Sequence, residues 1–129
     1  MSTTKCRILY VDDHDDSAEM IKLLLADMDC EVEAGRTVDE ALELARSQQF
    51  DLYVLDRHLP DGSGIELRQE LIKMNPMVPC IFYTGDVYEI HRLEVEHAGA
   101  DAYVPKPDVE ALLETVQKFL SESECATAA

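Results

Sequence analysis

Basic residues are scarce in this chain of 129: 11 Lys and Arg stand against 27 Asp and Glu, a formal net charge of −16. So acidic a surface repels phosphate backbones, which argues against direct nucleic-acid binding and leaves cation binding open. No apolar run approaches the roughly 18 residues of a membrane-spanning helix, so no membrane insertion is expected. Residues 1–5 are short and polar, unlike the apolar core of a secretory leader. Cysteine is limited to Cys6, Cys30, Cys80 and Cys125. None forms a CxxC pair and no His pair sits nearby at ligand spacing, so no zinc site is expected. The four read as reduced, mostly buried thiols of a cytoplasmic protein. The single asparagine, Asn75, precedes Pro76, so no glycosylation sequon exists. There is no Walker A loop. The one glycine cluster, Gly62-Ser63-Gly64, has Leu67 where a dinucleotide fingerprint needs its last glycine. The length suits one domain rather than two, and 47% apolar residues suffice for a core.

What is present is alternation. Residues 7–11 (RILYV) form a short β-rich run, and over residues 15–28 Met20, Ile21, Leu24, Leu25 and Met28 recur at helical spacing. Residues 31–34 form a weak strand closed by Gly35. Thr37 and Glu40 have capping-box spacing, and Val38, Ala41, Leu42 and Ala45 give that helix its buried face. LYVL at 52–55 is continuously apolar, as a central parallel strand is. LPDGSG at 59–64 is turn chemistry. Ser63 is placed to cap a helix carrying Ile65, Leu71, Ile72 and Met74, which stops before Pro76. PCIFY at 79–83 is a fourth strand, residues 87–98 are predicted helical with Gly99 as stop, and residues 102–104 make a fifth strand. Asp108 is placed to cap a last helix with Val109, Leu112, Leu113, Val116, Phe119 and Leu120 on its apolar face.

Five βα units in succession require crossovers, hence parallel strands covered on both faces. The expected fold class is α/β: a doubly wound five-stranded parallel sheet of order 2-1-3-4-5, flavodoxin-like (βα)5. The expected domain spans residues 6–120, between an N-terminal tail at 1–5 and a flexible C-terminal tail at 121–129.

Ligands of such sheets bind beyond the carboxyl ends of the strands, where the strand order reverses. Asp12 and Asp13 follow the first strand, Asp56 the third, Thr84 the fourth and Lys106 the fifth, whereas the second ends only in Ala34-Gly35. That pattern fits a second strand at a remote edge. Three carboxylates at one rim raise one another's pKa, and a divalent cation relieves the repulsion. Oxygen ligands without Cys suit Mg2+ (or Mn2+). A cation, the Lys106 ammonium and the Thr84 hydroxyl can stabilise three equatorial phosphoryl oxygens, with Asp56 as the nucleophile that becomes an acyl phosphate. Asp15 and Asp16 read as helix-start charge, Asp61 as turn chemistry, and His14 and His58 as surface residues. Tyr53 and Tyr83 read as strand packing, and Tyr88 as a residue at the start of the helix at 87–98.

The stretches ILYVDDHDD, LYVLDRHLPDGSG, FYTGD and AGADAYVPKP, spread over about residues 6–120, resemble the receiver domain of bacterial response regulators. The resemblance implies phosphoryl transfer onto Asp56 from a sensor histidine kinase or a histidine phosphotransfer protein. It implies Mg2+ held by Asp13, Asp56 and the backbone carbonyl of His58, with Asp12 acting through water. It implies a switch pair, Thr84 and Tyr103, a cis bond at Lys106–Pro107, and a His58 side chain that faces the attacking water. Such a domain is not a turnover enzyme; it catalyses its own phosphorylation and dephosphorylation. Few residues follow Leu120, so the expectation is a stand-alone receiver that signals to a separate effector protein in the cytoplasm.

Pro105 departs from the family pattern, which prefers an apolar residue with a free N–H, and an edge strand tolerates it. Three rival readings remain. A Mg2+-dependent phosphatase of the haloacid dehalogenase type needs a second acid where His58 stands, and a cap domain. A nucleotide or flavin module rests on fold alone. An unphosphorylated scaffold receiver is expected to have lost one of the key polar groups, all of which are intact.

Overall fold

The computed structural model describes residues 6–85, 101–106 and 108–121. Along the chain run β1 (Cys6–Val11), α1 (Asp15–Ala26), β2 (Cys30–Gly35), α2 (Val38–Ser47), β3 (Leu52–Leu55), β4 (His58–Leu59), β5 (Gly62–Ser63), α3 (Gly64–Met74), β6 (Cys80–Thr84), β7 (Ala102–Pro105) and α4 (Val109–Ser121). The helix expected over residues 87–98, the Lys106–Pro107 bond, the N-terminal tail and the C-terminal tail beyond Ser121, which closes α4, lie outside the described residues.

The main sheet has the order β2-β1-β3-β6-β7, with every neighbouring pair parallel. This is the expected 2-1-3-4-5 order once β4 and β5 are set aside. Those two short strands form a separate antiparallel pair around the turn at Pro60-Asp61.

Period-two alternation sends successive strand residues into two different cores. Ile8 and Tyr10 pack with Ile21 and Leu25 of α1 and with Leu112 and Val116 of α4. Leu9 and Val11 pack with Ala41 of α2 and with Leu67 and Leu71 of α3. Each Ile, Leu or Val of these sets contributes about 1.5–3 kcal/mol when fully buried. A strand slipped by one residue would exchange the two sets, so the register is strongly specified.

The helix starts follow the capping residues. Glu40 N donates to Thr37 Oγ1 at 3.0 Å, Glu66 N to Ser63 Oγ at 3.1 Å, and Ala111 N to Asp108 Oδ1 at 3.0 Å. The capping box at Thr37 is closed differently from expectation, because the Glu40 carboxylate accepts from Arg36 N at 3.0 Å. α1 ends at Ala26 rather than at residue 28. Asp29 adopts the left-handed conformation there (φ 59°), which turns the chain without a glycine.

Asp61 is more than turn chemistry. Its carboxylate accepts from Val38 N at 2.8 Å and from Asp39 N at 3.1 Å, tying the β4–β5 turn to the first turn of α2. Those amides, Val38 N foremost, hold the Asp61 carboxyl below the usual carboxylate range.

Pro105 lies on β7, which among the described residues pairs with β6 alone. Lys106 N donates to Thr84 O at 2.8 Å, so an N–H one residue earlier would point away from the ladder and none is missed. Cys30 and Cys80 are free and buried, and burial pushes their thiols up to about 11 and about 12. Cys6 corrects the expectation of four reduced thiols, since it is disulfide-bonded. No described helix is long and apolar enough to cross a membrane.

Candidate functional site

Parallel pairing sets the carboxyl ends of β1 and β3 side by side, with Val11 opposite Leu55. The next residue of each strand, Asp12 and Asp56, therefore meets at one rim. Asp12 N donates to Gly35 O at 3.0 Å and Asp56 N to Val11 O at 2.9 Å, which prolongs the ladder to the rim. On the other flank Thr84 stands opposite Pro105, and Lys106 follows. The Lys106 ammonium closes the ring: Nζ donates to Asp12 Oδ2 at 2.6 Å and to Asp56 Oδ2 at 3.1 Å.

The Asp12 side chain is 0% exposed and that of Asp56 is 9% exposed, so Lys106 serves two buried anions rather than a surface pair. Asp12 is held from both sides. Oδ2 accepts from Tyr10 Oη at 2.8 Å as well as from Lys106, and Oδ1 accepts from His14 N at 3.0 Å. Burial works to raise the Asp12 pKa, but the Lys106 and His14 hydrogen bonds outweigh it and hold the carboxyl below its ordinary value. Burial likewise works to lower the Lys106 pKa, and the Asp12 hydrogen bond and the Asp56 charge outweigh it in the opposite direction. Asp56 Oδ1 accepts from Arg57 N at 2.7 Å, which orients the carboxylate across the rim.

Asp12, Asp13, His14 and Asp56 each present a ligand atom, all within 4.8 Å of one another. His14 is exposed, as a surface histidine is, yet Nδ1 lies 3.0 Å from Asp12 Oδ1 and 3.1 Å from Asp13 Oδ1. The Asp12 hydrogen bond and the Asp13 charge raise its pKa. Its adjacency to Asp12-Asp13 was the available signal in the sequence. In metal-free protein the His14 ring is expected to titrate above about 6.5, read by NMR. The stabilisation it adds is complete below the unfolded value and is lost as the pH rises through the folded one. A midpoint at or below the free-histidine value would contradict the contacts.

His58 sits on β4 with its ring exposed, and Nε2 lies 3.0 Å from Arg57 Nη1. A guanidinium only donates, so in this contact Nε2 is the acceptor. Arg57 is only 9% exposed, and nothing in the sequence patterning singles it out. Thr84 is buried at the end of β6. Alternation puts it on the sheet face of Phe82, and Tyr103, opposite Phe82 in the ladder, packs against that face too.

Gly64 brings the loop after Asp56 against the rim. Gly64 N donates to Arg57 O at 2.8 Å. A Cβ at this position would stand 2.0 Å from Asp56 O and 3.0 Å from Phe82 Cε1. No residue with a side chain fits there without moving the Asp56 backbone.

A doubly wound parallel sheet with three carboxylates and one lysine at its carboxyl rim defines a receiver-type domain. The profile of the response regulator receiver domain matches residues 8–117, and the chain belongs to that family, the receiver component of two-component signalling. It is 35% identical over 124 residues to the transcriptional regulatory protein CreB of Escherichia coli, which covers 90% of this chain and 54% of CreB. It is 34% identical over 115 residues to the response regulator protein PilR of Pseudomonas aeruginosa, covering 88% of this chain and 26% of PilR. The chain thus spans only part of the length of either relative. Among solved structures, the CheY-like receiver domain protein of Methanospirillum hungatei aligns with a TM-score of 0.85 at 34% identity, over 92% of this chain and 96% of that one. The response regulator TrrA of Thermotoga maritima, solved in complex with Mg2+ and BeF, aligns with a TM-score of 0.80 at 33% identity, over 89% of this chain and 99% of that one.

Proposed function

We propose that Asp56 accepts a phosphoryl group in a reaction that depends on Mg2+ (or Mn2+), and that a sensor histidine kinase or a histidine phosphotransfer protein is the donor. One observation carries the reading: a buried carboxylate oxygen of Asp56 lies 3.1 Å from the Lys106 ammonium and shares a cluster with Asp12 and Asp13. The same complex of cation and phosphoryl mimic in TrrA supports it.

The residues present fit a hard divalent cation. Carboxylate oxygens converge within 4.8 Å, and the single charge of Lys106 does not balance three carboxylates. Asp13, Asp56 and the His58 carbonyl would hold the ion, with Asp12 acting through water. When bound, it supplies positive charge to the phosphoryl oxygens. Asp56 contributes the attacking oxygen, and the donor's P–N bond breaks as the Asp56 O–P bond forms. Lys106 stays protonated and neutralises charge that spreads over the transferred group. Arg57 N keeps the second Asp56 oxygen oriented.

The product adds roughly −1.5 to −2 charge and new acceptor oxygens at the rim. The Thr84 hydroxyl moves to one of them, and Tyr103, behind it on the same sheet face, follows. The change is read by an effector in the cytoplasm, and the domain that carries it extends over residues 6–120. The cycle is self-catalysed and includes autodephosphorylation, in which the His58 side chain faces the attacking water. His58→Ala is expected to change the decay of the phosphoryl group several-fold and to leave Mg2+ affinity unaltered. Equal decay rates in the two proteins would remove His58 from the account.

Beryllofluoride with Mg2+ tests the site directly. The mimic is expected to order against Asp56 in the native protein and to be absent from Asp56→Asn. A mimic that binds the Asn variant equally well would overturn the choice of acceptor.

A further inference from the structure

The hydrogen bond from Tyr10 Oη to Asp12 Oδ2, 2.8 Å long and buried, brings to the rim a donor that is not among the polar residues that follow the strand ends. Tyr10 is 1% exposed and shares its sheet face with Ile8, Val54 and Ile81, where apolar side chains suffice for packing. The hydroxyl is therefore surplus to the core, and it ends on the one Asp12 oxygen that Lys106 also uses, at 2.6 Å. Tyr83 lies on the same face, and its ring centroid is 5.7 Å from Lys106 Nζ. One tyrosine thus holds the anionic end of the Asp12–Lys106 pair, and the other presents a π face to the cationic end.

We propose that Tyr10 is a positioning residue for phosphoryl transfer: its hydroxyl holds Asp12 Oδ2 so that Lys106 is shared with Asp56 instead of closing on Asp12 alone. The inference rests on the reading of Asp56 as acceptor.

The physics is a competition for one ammonium. Asp12 Oδ2 is fully desolvated and needs donors for its charge. With Tyr10 in place, one lone pair is occupied and part of the charge is balanced, so the pull on Lys106 is reduced. Without that hydroxyl, Lys106 is the only side-chain donor to Oδ2 that remains among the described residues, and the longer 3.1 Å contact to Asp56 is the one that gives way. Transfer breaks the donor's P–N bond, forms the Asp56 O–P bond, and leaves the electron pair on the donor's imidazole nitrogen. Throughout, Lys106 and Tyr10 keep their protons. Lys106 only has to lean from Asp12 towards the phosphoryl oxygens, and Tyr10 keeps Asp12 in place while it does.

Tyr10→Phe removes the hydroxyl and keeps the ring. With acetyl phosphate and saturating Mg2+, Asp56 is expected to be labelled about tenfold more slowly in this variant, the worth of one hydrogen bond to a charged group. The discriminating readout is a double-mutant cycle with Lys106→Met. If Tyr10 acts through Lys106, the second substitution changes the rate by less than about twofold in the Lys106→Met background. A packing role would cost the same factor in both backgrounds. Where labelling of Lys106→Met is too slow to time, the cycle is read on the thermal midpoints of the unphosphorylated proteins, and the two losses are expected to be non-additive. Native rates in Tyr10→Phe, or additive losses in the cycle, overturn the inference and leave Asp56 as acceptor. Absence of label on Asp56 in the native protein overturns the acceptor reading, and this inference falls with it.

Discussion

Gly64→Ala is expected to lose about 3 kcal/mol of stability or more, and with it the response to beryllofluoride. The added methyl would stand 2.0 Å from Asp56 O and 3.0 Å from Phe82 Cε1. The first contact is with backbone, which no rotamer change relieves. Either α3 withdraws from the rim or the Asp56 peptide shifts. Both break the 2.8 Å bond from Gly64 N to Arg57 O and displace the carboxylate that Lys106 holds. For a domain of this size the loss corresponds to a fall of roughly 10 °C in the thermal midpoint. Gly85→Ala is the control, because a Cβ there meets nothing within 4 Å. A Gly64→Ala protein with the native midpoint and a native beryllofluoride response would contradict the close approach.

Lys106→Met is expected to destabilise the metal-free protein by about 3–5 kcal/mol, because it leaves buried carboxylates facing each other without their cation. The sign of the pH response distinguishes this from simple loss of packing. In the native protein the Asp12 pKa is depressed, so its stabilisation is present above the unfolded value of about 3.9 and is lost as the pH falls through the folded one. In Lys106→Met the same carboxylates repel each other, and protonating one relieves the strain. Acidification from neutral pH is therefore expected to recover stability in the variant over a range where the native protein gains none. Added Mg2+ is expected to recover part of the loss as well. A variant whose stability falls with pH in parallel with the native curve would show that Lys106 does not balance these charges.

The architecture is legible in the sequence because each strand is a short apolar run and each rim residue follows its strand directly. Asp12, Asp56, Thr84 and Lys106 needed only the strand ends and the crossover rule to be placed together. Sequence signals were weaker where a residue's partner lies elsewhere in the fold. Asp61 grips amides of α2 more than twenty residues earlier in the chain, and no periodicity reports that. Gly64 looks like one turn glycine among several until the Asp56 carbonyl is seen beneath it. Cys6 gives no sign of its disulfide. Tyr10 and His14 are different cases, since each lies two residues from Asp12. Alternation puts Tyr10 on the same sheet face as Asp12, and the hydroxyl could have been read from that spacing.

The measurement that bears most directly on the account is labelling by acetyl phosphate, followed by mapping of the modified residue. The account predicts one phosphoryl group on Asp56, labelling that stops when Mg2+ is chelated, and none in Asp56→Asn. Label that persists in Asp56→Asn, or that forms at the same rate without a divalent cation, would contradict it.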